Sequence, residues 1–116
     1  TRMIQRFDVG PRMSELAVHN GVAYLAGQVA EDATQGVIGQ TRQVLAEIDA
    51  LLAKAGTDQT RILRAQIFLA DMGDFTGMNQ AWDEWVAAGH TPPRATVQAA
   101  LARPEWKVEI VVTAAV

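Results

Sequence analysis

The chain has 116 residues, 49% of them hydrophobic and 20% charged, with a net charge of −3 at pH 7. That is enough apolar content to build a core, and it lacks the basic surplus of a nucleic-acid binder. With no cysteine, disulfides, thiolate nucleophiles and cysteine zinc sites are excluded; no apolar run reaches the ~18 residues of a membrane helix. No basic-plus-apolar signal segment opens the chain, so one domain over residues 1–116 is expected, soluble and cytoplasmic, with no membrane partner.

Met3 to Phe7 alternates weakly and reads as a first strand, broken by Gly10-Pro11. Leu16–His19 and Val22–Ala26 flank Asn20-Gly21, a hairpin signal because both turn residues tolerate positive φ. Gly27 ends the second arm, where a backbone or ligand can approach closely. In the polar stretch from Glu31 to Gly39, Asp32 and Thr34 are candidate helix caps. Val44, Leu45, Ile48, Leu51, Leu52 and Ala55 then recur at helical spacing up to Gly56. Arg61 to Ala70 reads as a strand. Asp74 is expected to cap a second helix with the stripe Phe75, Met78, Trp82, Trp85 and Val86, stopped by Gly89. The last strands are expected over Arg94–Leu101 and Lys107–Ala115.

The order is therefore β-β-β-α-β-α-β-β, an α+β chain whose two helices cover one face of the sheet. Val108 to Val116 is nonetheless apolar on both faces apart from Glu109, Thr113 and small alanines. The second face must meet something other than water, and a second copy of the chain is the simplest partner.

Two charges stand out. Arg94 opens its strand after Pro92-Pro93, sharing a face with Thr96 and Gln98. Its planar fork suits a ligand carboxylate or a structural salt bridge. Glu109, fifteen positions later, is the one charge between Val108 and Val116. An isolated carboxylate there marks a paired interface ion or a functional group. Buried without partners, either charge costs several kcal/mol, so a small carboxylate ligand and a water are expected to satisfy part of that need. His19 and His90 read as turn residues without metal-ligand spacing, and no metal is assigned. Trp82 and Trp85 read as core, with no basic interleaving for RNA.

Pro92-Pro93-Arg94-Ala95-Thr96-Val97, the spacing to Glu109 and Val108-Glu109-Ile110 resemble the C-terminal signature of the RidA/YjgF family. The likeness extends back through Asp71-Met72-Gly73-Asp74-Phe75 with Asn79, and through Gly27-Gln28. The resemblance implies a chorismate mutase-like fold and a homotrimer with ligand sites in the clefts between subunits. It implies hydrolysis of reactive 2-imino or 2-enamino acids, such as 2-aminoacrylate, to 2-oxo acids and ammonia without a cofactor. In that scheme Arg94 is the carboxylate holder, Glu109 orients or activates the attacking water, and Thr96, Gly27 and Asn79 lie beside the substrate. Three positions depart from the family's best-studied members: Arg12 follows Gly10-Pro11 where a tyrosine is usual, Ala26 replaces a serine before Gly27-Gln28, and Thr96 replaces a frequent cysteine. The pattern resembles a RidA-related subgroup rather than RidA itself. The altered wall leaves a second reading open, a non-catalytic module that binds small carboxylates in the same cleft.

Overall fold

The computed structural model describes residues 3–116. Six strands form one mixed sheet in the order β1-β2-β3-β6-β4-β5. They are β1 (Gln5–Val9), β2 (Ser14–His19), β3 (Val22–Leu25), β4 (Ile62–Leu69), β5 (Arg94–Gln98) and β6 (Val108–Ala115). The helices are α1 (Val37–Lys54) and α2 (Phe75–Trp85). Only β4 and β5 pair in parallel, across the α2 crossover. β6 runs antiparallel between β3 and β4, so the last strand made occupies the middle of the sheet. The element order and the α+β class are those expected from the sequence.

Alternation decides which face is covered. Along β6, Val108, Ile110, Val112 and Ala114 are buried, while Glu109, Val111, Thr113 and Ala115 are half-buried. The buried set packs with Ala65, Ile67 and Leu69 of β4 against Val44, Ile48 and Leu52 of α1 and Met78 and Trp82 of α2. The opposite face carries no helix. Tyr24 is 52% and Val97 43% exposed there, and among the described residues no helix is long and apolar enough to cross a membrane.

The β2–β3 turn has positive φ at both Asn20 (51°) and Gly21 (77°), the twist a two-residue hairpin needs. Gly56 follows α1 at φ 80°, as the expected stop. The caps differ from expectation. α1 begins after Gly36 with no side-chain cap. Asp32 instead accepts hydrogen bonds from the Thr34 backbone N–H and hydroxyl, a local turn too far from the helix to serve its free N–H groups. Asp74 makes no cap bond either. Asp71 does so earlier, accepting from Gly73 N–H at 2.8 Å, because a 3-10 turn over Met72–Asp74 leads straight into α2. The buried stripe of α2 starts a turn later than expected: Met78, Ala81 and Trp82 are buried, while Phe75 is 40% exposed. β5 ends at Gln98, whose side chain accepts from Met72 N–H at 2.8 Å.

Gln40 holds the loops together and was not singled out in the sequence. It is fully buried on α1. Its amide N–H groups donate to the carbonyls of Gln35 and Glu105 at 2.9 and 3.1 Å, with a longer contact to Ala33. Its carbonyl accepts from Lys107 N–H at 2.9 Å. One side chain thus pairs with backbone groups of the loops before α1 and before β6 and ties both loops to the helix. Gln40→Met keeps the length and removes every one of these bonds. The expected cost is about 3 kcal/mol, a fall in thermal midpoint of roughly 10–15 °C. A fall under about 3 °C by calorimetry would show that these loops are held by other contacts.

Candidate functional site

Arg94 is set by the strand entry. The residue before it lends its carbonyl to Ala65 N–H (3.0 Å), and Arg94 then pairs opposite Ala65. Ala65 points into the core, so Arg94 points to the helix-covered face. Its guanidinium lies over the Trp82 ring, 5.0 Å from the centroid, with Nη1 4.0 Å from the Met78 sulfur. A cation over an indole face is attracted by the ring quadrupole. Met78 and Trp82 are therefore core residues that also carry the arginine, a role the reading of the stripe as core alone passed over. Thr96 lies two residues on, opposite Ile67, and Asn79 follows Met78 on α2. The Thr96 hydroxyl and the Asn79 side-chain oxygen are both buried without a hydrogen-bond partner. Buried polar atoms are rarely left so. The two oxygens lie on β5 and α2, the elements that carry Arg94 and the Met78 and Trp82 side chains against it.

Glu109 is built differently. It pairs opposite Phe68, which puts its carboxylate on the uncovered face. Gly27 lies against it: a Cβ added there would overlap the Glu109 carboxylate and stand 2.9 Å from its Cδ. The pair is held by an isolated bridge between Gln28 and Ile110, with N–H to O distances of 2.9 and 3.1 Å. The Gln28 side chain donates to Glu15 at 3.1 Å, fixing the segment to β2. Glu109 lines a cavity of about 220 Å³ with Phe68 and the loop from Ala99 to Ala102.

The sequence-expected residues thus fall into two groups. Arg94, Thr96 and Asn79 belong to the β5–α2 side; Gly27 and Glu109 share the uncovered face. Arg94 lines a separate cavity, of about 370 Å³, which does not include Glu109. Neither charge enters the ion pairs formed among the described residues, Arg42–Glu84 and Lys54–Asp8. His19 ends β2 and His90 is exposed; among the described residues no group of three His, Asp or Glu is placed to hold a metal ion. Of the three departures, Arg12 is exposed and Ala26, half-buried, adjoins Gly27.

A family model described as Endoribonuclease L-PSP matches residues 3–116. A RutC family protein of Haemophilus ducreyi is 58% identical over 98% of this chain and 97% of that protein. The crystal structure of a YjgF-family member from Neisseria meningitidis, 50% identical, superposes with a TM-score of 0.93 over 97% of this chain and 94% of its own. The chain belongs to the RidA/YjgF family. Its sheet with two helices on one face is the chorismate mutase-like fold of that family. A goat relative, 30% identical over 88% of this chain and 77% of its own, is named 2-iminobutanoate/2-iminopropanoate deaminase.

The contact between Gly27 and Glu109 gives a specific expectation. The atoms in the way are the end of a flexible side chain, and Gly27 is not in the left-handed region. Gly27→Ala should therefore cost less than about 1 kcal/mol of stability, the range of an ordinary surface change. It should swing the Glu109 carboxylate to another rotamer, visible in a crystal structure of the variant. An unmoved carboxylate would show that the backbone yields instead.

Proposed function

We propose that this protein hydrolyses small 2-imino acids to 2-oxo acids and ammonia, at sites completed between copies of the chain. The observation that carries the reading is the division of the two charges. Arg94 and Glu109 stand on opposite faces of one sheet and in different cavities. One chain cannot present both to a molecule of a few carbons, whereas an uncovered apolar face is what a symmetric assembly buries. A homotrimer would bring Arg94 of one subunit beside the cleft that holds Glu109 of the partner subunit. The name of the goat relative supports the chemistry.

In this scheme Arg94 binds the substrate carboxylate through two parallel N–H bonds, its plane held by Trp82. The Thr96 hydroxyl, unpartnered within the chain, can donate to the bound carboxylate, and the Asn79 amide oxygen can accept from the imine N–H. Glu109 accepts a proton as water oxygen attacks the imine carbon. The C=N electron pair passes to nitrogen, which takes up a proton. The hydroxyl proton of the resulting carbinolamine then passes to its amino nitrogen as the C–N bond breaks and the C=O bond forms, releasing ammonia and the 2-oxo acid. Positioning accounts for much of the rate, because the imine carbon is already electrophilic. The reading does not extend to RNA cleavage, since the net charge is −3 and a phosphate backbone demands clustered cations. The separation of the charges also favours a second reading, a non-catalytic carboxylate-binding module. Ammonia release from freshly generated 2-iminopropanoate separates the two.

Arg94→Lys keeps the charge and loses the fork, so turnover should fall by about two orders of magnitude with the assembly intact. Glu109→Gln should lower turnover by roughly 10²–10⁴-fold, while 2-oxo acid affinity stays within about tenfold. Full activity in a stable Glu109→Gln protein would defeat the mechanism. Sedimentation equilibrium should give a trimer at micromolar concentration, and a stable monomer there would sink the shared site.

A further inference from the structure

The Glu109 carboxylate rests against a turn that one side chain holds shut. Strand β3 ends at Leu25. The chain rejoins the sheet at Gln28, which exchanges both backbone hydrogen bonds with Ile110, at 2.9 and 3.1 Å. Gly27 lies in the gap, with no room for a Cβ beside the Glu109 carboxylate. Its backbone therefore fills space into which that carboxylate could otherwise turn. Ala26 N–H donates to the Glu15 carbonyl at 2.9 Å, which ties the front of the turn to β2. The Gln28 side chain, 8% exposed, ties the back. Its amide nitrogen carries two hydrogens and meets two acceptors, the Ala26 carbonyl and Glu15 Oε1, each at 3.1 Å. The half-buried Glu15 joins no ion pair among the described residues, and an ionised acceptor strengthens such a bond. One buried amide thus spans the turn and anchors it on a charge.

We infer that Gln28 is a positioning residue for Glu109, with Glu15 as its anchor. Gln28 acts through Gly27 and not on the reacting atoms. It keeps the Gly27 backbone against the carboxylate, which holds the carboxylate toward the cavity lined by Phe68 and the loop from Ala99 to Ala102. The inference rests on the reading of Glu109 as the proton acceptor. A general base must sit within hydrogen-bond reach of its water, and a misplacement of about 1 Å can cost on the order of 10²-fold in rate. The tie needs a donor at position 28 and an acceptor oxygen at position 15. Arg94 stands on the other face of the sheet, so its hold on a carboxylate does not pass through this turn.

The test compares the full-length protein with Gln28→Met, which keeps the length and removes the donor, and with Glu15→Ala and Glu15→Gln, of which only the second keeps an acceptor. Ammonia release from 2-iminopropanoate gives kcat and KM, calorimetry gives 2-oxobutanoate affinity, and crystal structures give the Glu109 rotamer. In Gln28→Met and Glu15→Ala, kcat should fall about tenfold or more, with 2-oxobutanoate affinity within about threefold and the Glu109 carboxylate displaced or spread over several rotamers. Glu15→Gln should keep kcat within about threefold of the unaltered protein and the carboxylate in place. An unchanged kcat in Gln28→Met, a loss of kcat and affinity together, or a loss in Glu15→Gln as deep as in Glu15→Ala would overturn the inference. If Gln28→Met does not fold, the two Glu15 variants decide by the same criteria. If the unaltered protein releases no ammonia, the deaminase reading falls. The Glu109 rotamer then decides: a carboxylate displaced in Glu15→Ala and in place in Glu15→Gln upholds the positioning role, and one unmoved in both overturns it.

Discussion

Strand β6 is hydrogen-bonded along both edges, to β3 and to β4, and the rest of the molecule is arranged by what it carries on its two faces. One face contributes Val108, Ile110, Val112 and Ala114 to the core. The other presents Glu109 among half-buried small and apolar residues. A strand has a period of two, so a slip of one residue would drive the carboxylate under the helices and strip the core. Burial of the apolar set therefore fixes where the carboxylate stands. The bridge from Gln28 to Ile110 uses the same strand to lay Gly27 against that carboxylate. Stability and site geometry depend here on one register.

The same logic places Arg94 away from Glu109. Parallel pairing with β4 puts Arg94 on the helix-covered side, over Trp82. A guanidinium at the edge of a core usually pairs with a carboxylate. Here it rests on an indole ring and a methionine sulfur, which hold its plane without neutralising its charge. In the proposed scheme, that arrangement leaves the fork available to an incoming acid. The unpartnered oxygens of Thr96 and Asn79 add sites for hydrogen bonds with no competing partner to displace.

Much of this was legible in the sequence. Periodicity and turn chemistry located all eight elements in order, because the hydrophobic alternation of β6, the helical spacing from Val44 to Leu52 and the Asn20-Gly21 turn are local properties of the chain. Arg94 and Glu109 stood out because a charge in an apolar strand is itself a local anomaly. The opposite facing of the two residues was not legible, since it depends on which strands pair and in which direction. The expected caps at Asp32 and Asp74 were displaced by side chains that serve the loops, Asp32 for Thr34 and Asp71 for Gly73. Gln40 gave no signal, because its partners are backbone groups up to 67 positions away. Trp82 was read as core, which it is; its second role appears only once Arg94 is laid over the ring.

The central claim is that a working site takes Arg94 from one subunit and Glu109 from another. Subunit mixing tests it most directly. Arg94→Lys and Glu109→Gln proteins are each prepared, unfolded together in equal amounts, refolded, and assayed for ammonia release from 2-iminopropanoate. In mixed trimers of a cyclic assembly, one interface joins an intact arginine to an intact glutamate. The account predicts recovery to about a quarter of wild-type activity, because about three-quarters of the trimers are mixed and each has one intact site of three. Activity no greater than the sum of the two separate variants would contradict it.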